Sequence, residues 1–414
     1  MITFIHTADI HFGVENYGKI DQKTGIHSRL LDFEHALNLC IDQAIEKQVD
    51  FFLFAGDAYK TANPSPTQQK LLMRCFLRLH TANIPVVIVV GNHDNPLSFG
   101  KANSLEIFGD IPLEGFHVMA KPELLVLNTK NGPVQIVGIP WPTRTTISLN
   151  KKNISESMDE LTKYIAQAVS TIITSYAQKC DPTIPTVLTG HLTVASGIFS
   201  GSEKRAIYGT DPTLFTSQLA IEPFDYVALG HLHRYQNLNT HGYPAVVYSG
   251  SIERVDFGER KESKGFCLVH LERHATTHEF IELPTRPFIQ IEATLDPDTE
   301  KHTQQILEKL THYAIAGAVL KIVYHVPAGI KDCVDMGALE RACSCAQYLV
   351  GIFPLHELTT RQKRRGLTVE ADLTTLLDSY FEEKTESQTK KNLLIQKALE
   401  LYAQAETSED ECDH

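Results

Sequence analysis

The apolar positions of this chain fall into short unbroken runs, and each run stops at a small group of polar residues. Ile2 to Thr7, Phe51 to Phe54 and Pro85 to Val90 are three such runs, and a continuous apolar stretch of this length predicts a buried strand. Between them the period changes. Phe33, Ala36, Leu37, Cys40, Ile41 and Ala44 recur at helical spacing and predict an amphipathic helix over roughly Ser28 to Lys47. Pro66 starts a second helix, with Leu71, Leu72, Cys75, Phe76 and Leu79 on one face. The β-α-β-α-β order predicts a layered α/β sheet.

Val118 to Pro140 reads as two or three shorter strands and Ile154 to Gln178 as a long helix. Strands then run from Thr186 to Thr189 into Gly190-His191, and from Tyr226 to Leu229 into Gly230-His231-Leu232-His233. Three more, near Ala245–Tyr248, Phe266–Leu271 and Glu279–Leu283, close a first domain over 1–285. Pro284 and Pro287 punctuate the boundary. A smaller β-α-β-α-β module follows over 286–360, with strands near Ile289–Ala293, Val319–His325 and Tyr348–Pro354 and helices near Thr299–Thr311 and Met336–Cys345. Over 361–414, a basic linker (Arg361 to Gly366) leads to two helical stripes: Leu373, Leu376, Leu377, Tyr380 and Phe381, then Leu394, Ala398, Leu401 and Tyr402.

Composition narrows the class. The 414 residues are 43 % hydrophobic and 21 % charged, as in an ordinary soluble protein of more than one domain. No apolar run approaches a membrane span, and Met1 to His6 lacks the charged start of a secretory signal. The eight cysteines are scattered; Cys343-Ser344-Cys345 has no second pair to complete a zinc site. Reduced thiols in the cytoplasm are the expectation. The net charge of −12 argues against whole-surface attraction to nucleic acid and leaves room for a local basic groove.

The polar strand ends carry the chemistry. Asp9 and His11, Asp57, Asn92 and His93, His191, then His231 and His233 stand at five of them. Alone, Gly91-Asn92-His93-Asp94 would suit an ordinary turn; five such ends together read as one site. In Asp9-Ile10-His11 and His231-Leu232-His233 the i, i+2 spacing puts both side chains on one side of extended chain. The glycines before Asp57, Asn92, His191 and His231 permit sharp turns and close approach. Mixed imidazole, carboxylate and amide donors suit Mn²⁺, Fe²⁺ or Zn²⁺, and the absence of cysteine excludes a structural zinc. Seven ligands are too many for one ion but suit two if a carboxylate bridges, and such a pair, ~3.5–4 Å apart, serves phosphoryl chemistry.

Asp-x-His, Gly-Asp, Gly-Asn-His-Asp, Gly-His and Gly-His-x-His, in that order, resemble the signature set of the calcineurin-like metallophosphoesterases. His6 to Gly13, Thr189 to Thr193, Ala228 to His233 and Tyr248 to Ser251 are similar to the SbcD family, the nuclease subunits of bacterial SbcCD complexes. The likeness is strong over about 1–290 and looser beyond. It implies a four-layer α/β/β/α sandwich, an α+β capping domain that guides DNA, and C-terminal helices. Asp9, His11, Asp57 and His233 would hold one divalent metal, with Mn²⁺ expected; Asp57, Asn92, His191 and His231 would hold the second, Asp57 bridging. His93 would face the scissile phosphate and assist the leaving oxygen, and Asp94 would support the turn. The implied activity is that of a 3′–5′ double-strand exonuclease and single-strand or hairpin endonuclease acting in DNA repair, recombination and replication. The implied partners are DNA ends and hairpins, an SbcC-type ATPase and a second copy of the chain within a heterotetramer.

One position departs from the pattern. Three residues after the bridging Asp the superfamily usually carries Asp, or His in some repair nucleases, and here stands Lys60. Its side chain cannot accept the bond by which an Asp would orient His93; a contact with substrate phosphate is one expectation and a solvent-facing lysine the other. The module over 286–360 could also be mere packing, the Arg361–Arg365 cluster a solvated linker, and the terminal helices docked on the protein's own cap. Two other functions stay open: a metallophosphoesterase for small molecules or phosphoproteins, and a DNA-end tethering scaffold without catalysis.

Overall fold

A computed structural model describes residues 1–96, 101–143, 158–201, 211–357, 374, 377 and 388–409. The basic cluster Arg361–Arg365, the helix start expected at Ile154, and Leu373, Leu376, Tyr380 and Phe381 of the first leucine stripe lie outside the described residues.

The strand-helix alternation forms where the apolar pattern places it. The first strands and helices are β1 (Ile2–Thr7), α1 (Ser28–Glu46), β2 (Phe51–Phe54), α2 (Pro66–Thr81) and β3 (Val86–Val89). α2 begins in a reciprocal cap: Ser65 Oγ accepts from the Gln68 amide at 3.3 Å and Gln68 Oε1 from the Ser65 amide at 2.9 Å. A short helix unmarked in the sequence pattern, α3 (Glu106–Asp110), precedes β4 (Phe116–Met119), β5 (Glu123–Thr129) and β6 (Gly132–Ile139). α4 (Met158–Ala177) buries Leu161, Ile165, Val169, Ile173 and Ala177, one residue in four. Then come β7 (Thr186–His191), β8 (Thr193–Val194), β9 (Thr213–Leu214), α5 (Thr216–Leu219), β10 (Tyr226–Gly230), β11 (Gln236–Asn237), β12 (Ala245–Tyr248), β13 (Gly265–Leu271) and β14 (Thr277–Glu282).

Two six-stranded sheets result, in the orders β14-β13-β1-β2-β3-β4 and β11-β12-β10-β7-β6-β5. β1 to β4 are mutually parallel in the first, as are β12, β10, β7 and β6 in the second; antiparallel strands flank them. The two-residue period of a strand sorts their side chains into layers. Phe4, Phe51, Leu53, Val87 and Val89 of one sheet meet Val134, Ile136, Val187, Tyr226, Ala228 and Val247 of the other in the central core. The alternate residues, Ile5, Phe52, Phe54, Val86 and Ile88, pack under α1 and α2. Val137, Leu188, Val227, Leu229 and Val246 pack under α4. The protein is a four-layer α/β/β/α sandwich.

The chain forms two compact units. The first holds Met1–Ala293, Thr299–Tyr324 and Cys333–Phe353; the second holds Thr294–Asp298, His325–Asp332 and Pro354–His414. A three-stranded sheet, β15-β16-β17, is built from β15 (Phe288–Thr294), β16 (Val319–Val326) and β17 (Tyr348–His356), with α6 (His302–Leu310) and α7 (Met336–Ala342) between the strands. The last helix is α8 (Gln388–Glu409). Among the described residues no helix is long and apolar enough to cross a membrane, and the cysteines are free thiols.

Within the first unit a buried charge network fastens the segment Pro284–Pro287 to α1. Arg29 is fully buried, donates to Asp32 Oδ2 at 2.8 Å and to the Arg254 carbonyl, lies 3.8 Å from Glu253, and stacks over Phe33 and Phe288. Arg286 bonds Asp32 in turn and donates to the Gly317 carbonyl at 2.6 Å. Removing one charge from such a network leaves its partners buried and uncompensated. Arg29→Met should therefore lower the free energy of urea unfolding by about 3 kcal/mol; a loss within measurement error would show that the network carries no stability.

Candidate metal centre

The carboxyl ends of the parallel strands of both sheets open on one edge, where α/β proteins place their ligands. From the first sheet, β1 delivers Asp9 and His11, β2 delivers Asp57, and β3 delivers Asn92 and His93. From the second, β7 ends in His191 and β10 leads to His231 and His233. The apolar interior of each strand fixes its height in the sandwich, so these residues arrive at the same level.

The structure brings all eight predicted residues together. Donor atoms of Asp9, His11 and His233 lie within 4.8 Å of one another, as do those of His11, Asp57 and His93, and of Asp9, Asp57 and His191. His11 Nε2 stands 3.0 Å from His233 Nε2. Asn92 Oδ1 is 2.9 Å from His191 Nε2 and 3.2 Å from His231 Nδ1. Asp57 Oδ2 lies between the two groups, 3.7 Å from His11 Nε2 and 3.3 Å from His191 Nε2. Every one of the seven donors except Asn92 is buried.

This arrangement fits metal ions better than it fits itself. Asn92 Oδ1 and the ring nitrogens beside it are spaced like ligands about 2.0–2.2 Å from a shared ion, which at right angles fall ~3 Å apart. His231 Nε2 is buried without a hydrogen-bond partner, 3.4 Å from Asp211. Two rings are fixed from behind. His191 donates through Nδ1 to the Ala55 carbonyl at 2.8 Å, and His233 through Nδ1 to Glu259 Oε1 at 2.8 Å. Both therefore aim Nε2 into the cluster, as metal-ligating histidines do.

The electrostatics agree. Burial lowers the pKa of His11 well below the ordinary value and lowers that of His231, keeping both rings in the neutral form that ligates. Burial opposes ionisation of Asp57, but the neighbouring His191 and His11 outweigh it and hold the carboxyl below its usual range. For His191 the balance runs the other way: burial disfavours the cation, Asp57 more than compensates, and the pKa rises to about 9. The pull on a proton at that ring is available to a divalent cation instead.

The loops are held by bonds the motifs do not advertise. Asp94, fully buried, accepts the backbone N–H groups of Asp57 (2.8 Å), Ala58 (3.0 Å), Tyr59 (3.3 Å) and Gly91 (3.1 Å), tying the β2 loop to the β3 loop. Burial and the nearby Asp57 push its carboxyl up to about 7. Gly91 is required by space, because a Cβ there would lie 2.1 Å from Asp57 Oδ1. Asp9 joins the two sheets: both its carboxylate oxygens stand 3.1 Å from the His231 amide.

His93 is exposed at the rim, and its ring has a partner that the sequence did not reveal. Its Nδ1 donates to the backbone carbonyl of Lys60 at 2.8 Å. The absent acidic side chain is thus replaced by main chain three residues after Asp57. The Lys60 side chain itself is solvent-exposed.

Sequence reasoning missed Glu259, Lys264, Asp211 and Trp141. Glu259 is fully buried; burial would raise its carboxyl, but Lys264 and His233 outweigh that and bring it down to about 2. Trp141, the one tryptophan, sets its ring 4.9 Å from that of His231 and 6.1 Å from that of His191. Its uniqueness was the one available signal. Glu259 and Lys264 sit in a polar stretch with no period to read.

The sequence profile of the calcineurin-like phosphoesterase family matches residues 2–235. Among curated proteins, the SbcD component of nuclease SbcCD from Staphylococcus saprophyticus is 29% identical over 309 residues, covering 73% of this chain and 74% of that protein. Among solved structures, a dimetal phosphatase from Danio rerio is similar at 12% identity over 67% of this chain and 98% of its own, with a TM-score of 0.39. A Thermus thermophilus protein gives 12%, 67%, 98% and 0.36.

Asp94 supplies a direct test of the loop architecture. Asn at this position would turn an amide NH₂ toward backbone N–H donors, leaving buried groups unpaired. Asp94→Asn should destabilise the metal-free protein by about 2 kcal/mol in urea unfolding; unchanged stability would remove Asp94 from its supporting role.

Proposed function

Since the chain belongs to the calcineurin-like phosphoesterase family, we propose that it is the nuclease subunit of an SbcCD-type complex, a metal-dependent hydrolase of DNA phosphodiester bonds. The observation that carries this reading is the convergence of seven donors at one strand edge with Asp57 among them and His93 exposed beside it. The likeness to an SbcCD nuclease subunit over 73% of the chain supports DNA as the substrate.

In this reading Asp9, His11, Asp57 and His233 hold one divalent cation, Mn²⁺ in preference, and Asp57, Asn92, His191 and His231 hold the other. Bound there, two such ions would supply an activated water and offset charge gathering on the phosphate. The protein's own groups do the rest. Asp57 keeps the two halves in register, because its Oδ1 also accepts the His93 amide at 2.9 Å. His93, turned by the Lys60 carbonyl, presents Nε2 to the leaving oxygen and transfers a proton there. Lys60 reaches into solvent beside it, where its ammonium contacts a phosphate of the substrate strand.

Residues 286–360 act as the capping module that guides DNA, and 361–414 carry the contact with an SbcC-type ATPase. Leu393, Leu394 and Leu401 are exposed on α8, an apolar surface suited to a partner helix. The assembly is a cytoplasmic heterotetramer of two nuclease and two ATPase subunits, acting on DNA ends and hairpins with 3′–5′ exonuclease polarity.

With Mn²⁺ and labelled duplex, hairpin and single-stranded DNA, the wild type should cleave, and His93→Ala should lose about 100-fold or more in rate while binding Mn²⁺ normally. Lys60→Ala retains the carbonyl that orients His93, so in the same assay any fall in DNA affinity reports the ammonium alone. Turnover of a small phosphodiester without DNA cleavage would favour the small-molecule reading; DNA binding with neither activity would favour the tethering scaffold.

Deleting 367–414 should abolish binding to the ATPase subunit in a pull-down and spare Mn²⁺-dependent cleavage. Retained binding would place the contact elsewhere.

A further inference from the structure

Behind the cluster lies a buried ion pair that the proposed reaction does not touch. Glu259 ends the short turn Phe257–Glu259 and Lys264 immediately precedes β13; their side chains are both fully buried. Lys264 Nζ stands 2.8 Å from Glu259 Oε2. Burying two charges costs desolvation that their attraction repays only with good geometry and further bonds, so an ion pair of this kind is weak evidence of stabilisation by itself. The further bonds here converge on one residue. Glu259 Oε1 accepts from His233 Nδ1 at 2.8 Å, while Lys264 Nζ donates to the His233 carbonyl at 2.9 Å. The pair thus grips His233 at ring and backbone. Ser251 Oγ (3.0 Å) and Glu262 Oε2 (3.1 Å) complete the surroundings of the ammonium, and the Val255 amide donates to Glu259 Oε2 at 2.9 Å.

Two of the other rings are backed differently. His191 and His93 lean on neutral carbonyls, of Ala55 and Lys60. Carbonyl and carboxylate alike fix the Nδ1–H tautomer, and the charge of the carboxylate adds to the basicity it lends to Nε2. We propose that Glu259 and Lys264 are a positioning pair that holds His233 as a ligand from behind and sets the affinity of its half of the metal centre. The inference rests on the metal-centre reading and adds to it two residues that take no part in the chemistry.

The test is Mn²⁺ binding by titration calorimetry on the full chain, with no DNA present. Glu259→Gln is expected to weaken one of the two Mn²⁺ sites by about 10–100-fold and leave the other near its wild-type affinity. Lys264→Met alone strands the buried Glu259 carboxylate and risks misfolding, so the deciding variant is the double one, Glu259→Gln with Lys264→Met, which removes both charges of the pair together and leaves Glu262, at the edge of the site, its contact with water. If the pair only serves the fold, the double variant regains wild-type affinity. If it positions His233, the affinity stays low although the protein is folded, and long-range ¹H–¹⁵N spectra of the metal-free chain show His233 no longer held in the Nδ1–H form. Wild-type affinity in Glu259→Gln, or its recovery in the double variant, would overturn the proposal, as would failure of the double variant to fold. A wild type that binds no Mn²⁺ would instead bring down the metal-centre reading.

Discussion

Four of the seven clustered donors, Asp9, His11, Asp57 and His231, sit on residues with positive φ, between +51° and +103°. Side chains other than glycine rarely adopt this backbone, and each instance costs on the order of 1–3 kcal/mol unless the surroundings enforce it. Here they do. The Asp9 amide donates to the Gly56 carbonyl at 2.9 Å and the His11 amide to that of Asp57 at 3.1 Å, continuing the β1–β2 pairing beyond the sheet. Asp94 collects the amides on either side of Asp57, and Asp9 receives that of His231 across the gap between sheets. Each turn that strains a donor is thereby held by a neighbouring loop. The strain is the cost of turning side chains from strands in two sheets toward one point.

That closeness is itself a packing result. Gly230 shows the limit: a Cβ there would lie 2.1 Å from the Ala55 carbonyl oxygen and 2.9 Å from the Ala8 side chain. The two sheets touch backbone to backbone at this edge, while elsewhere rings such as Phe4, Phe51 and Tyr226 keep them apart. The sandwich narrows where the chemistry lies. The low dielectric there explains the opposed behaviour of chemically similar groups: His11 and His231 stay neutral because burial dominates, whereas His191 rises because it faces Asp57.

The strands and the donors were legible because both rest on residue type. Unbroken apolar runs such as Phe51 to Phe54 marked the buried strands, and polar residues past such a run stood out at Asp9, Asp57, Asn92, His191 and His231. What stayed hidden rests on backbone. The Lys60 carbonyl that turns His93 would be present whatever residue occupied position 60, so no reading of side chains could have found it. The four amides gathered by Asp94 are equally silent, and only the carboxylate hinted at them. Glu259 and Lys264 look like ordinary surface charges in the stretch Glu259-Arg260-Lys261-Glu262-Ser263-Lys264, and burial by tertiary packing alone sets them apart. Short elements such as α3 and α5 carry too few residues for a period to show.

Lys60 also changes how the work around His93 is divided. A carboxylate at that position would orient the ring through a side chain. A carbonyl orients it through the main chain instead. Orientation passes to the main chain of the β2 loop, whose own position is fixed by the bond from the Lys60 amide to the Phe12 carbonyl at 3.0 Å. Asp57 stands close on the other side: it accepts the His93 amide, and its carboxylate lies within 4.8 Å of a His93 ring nitrogen. Asp57 thus touches His11, His191 and His93 at once. With orientation secured by backbone, the side chain at position 60 takes no part in holding the ring and stands in solvent.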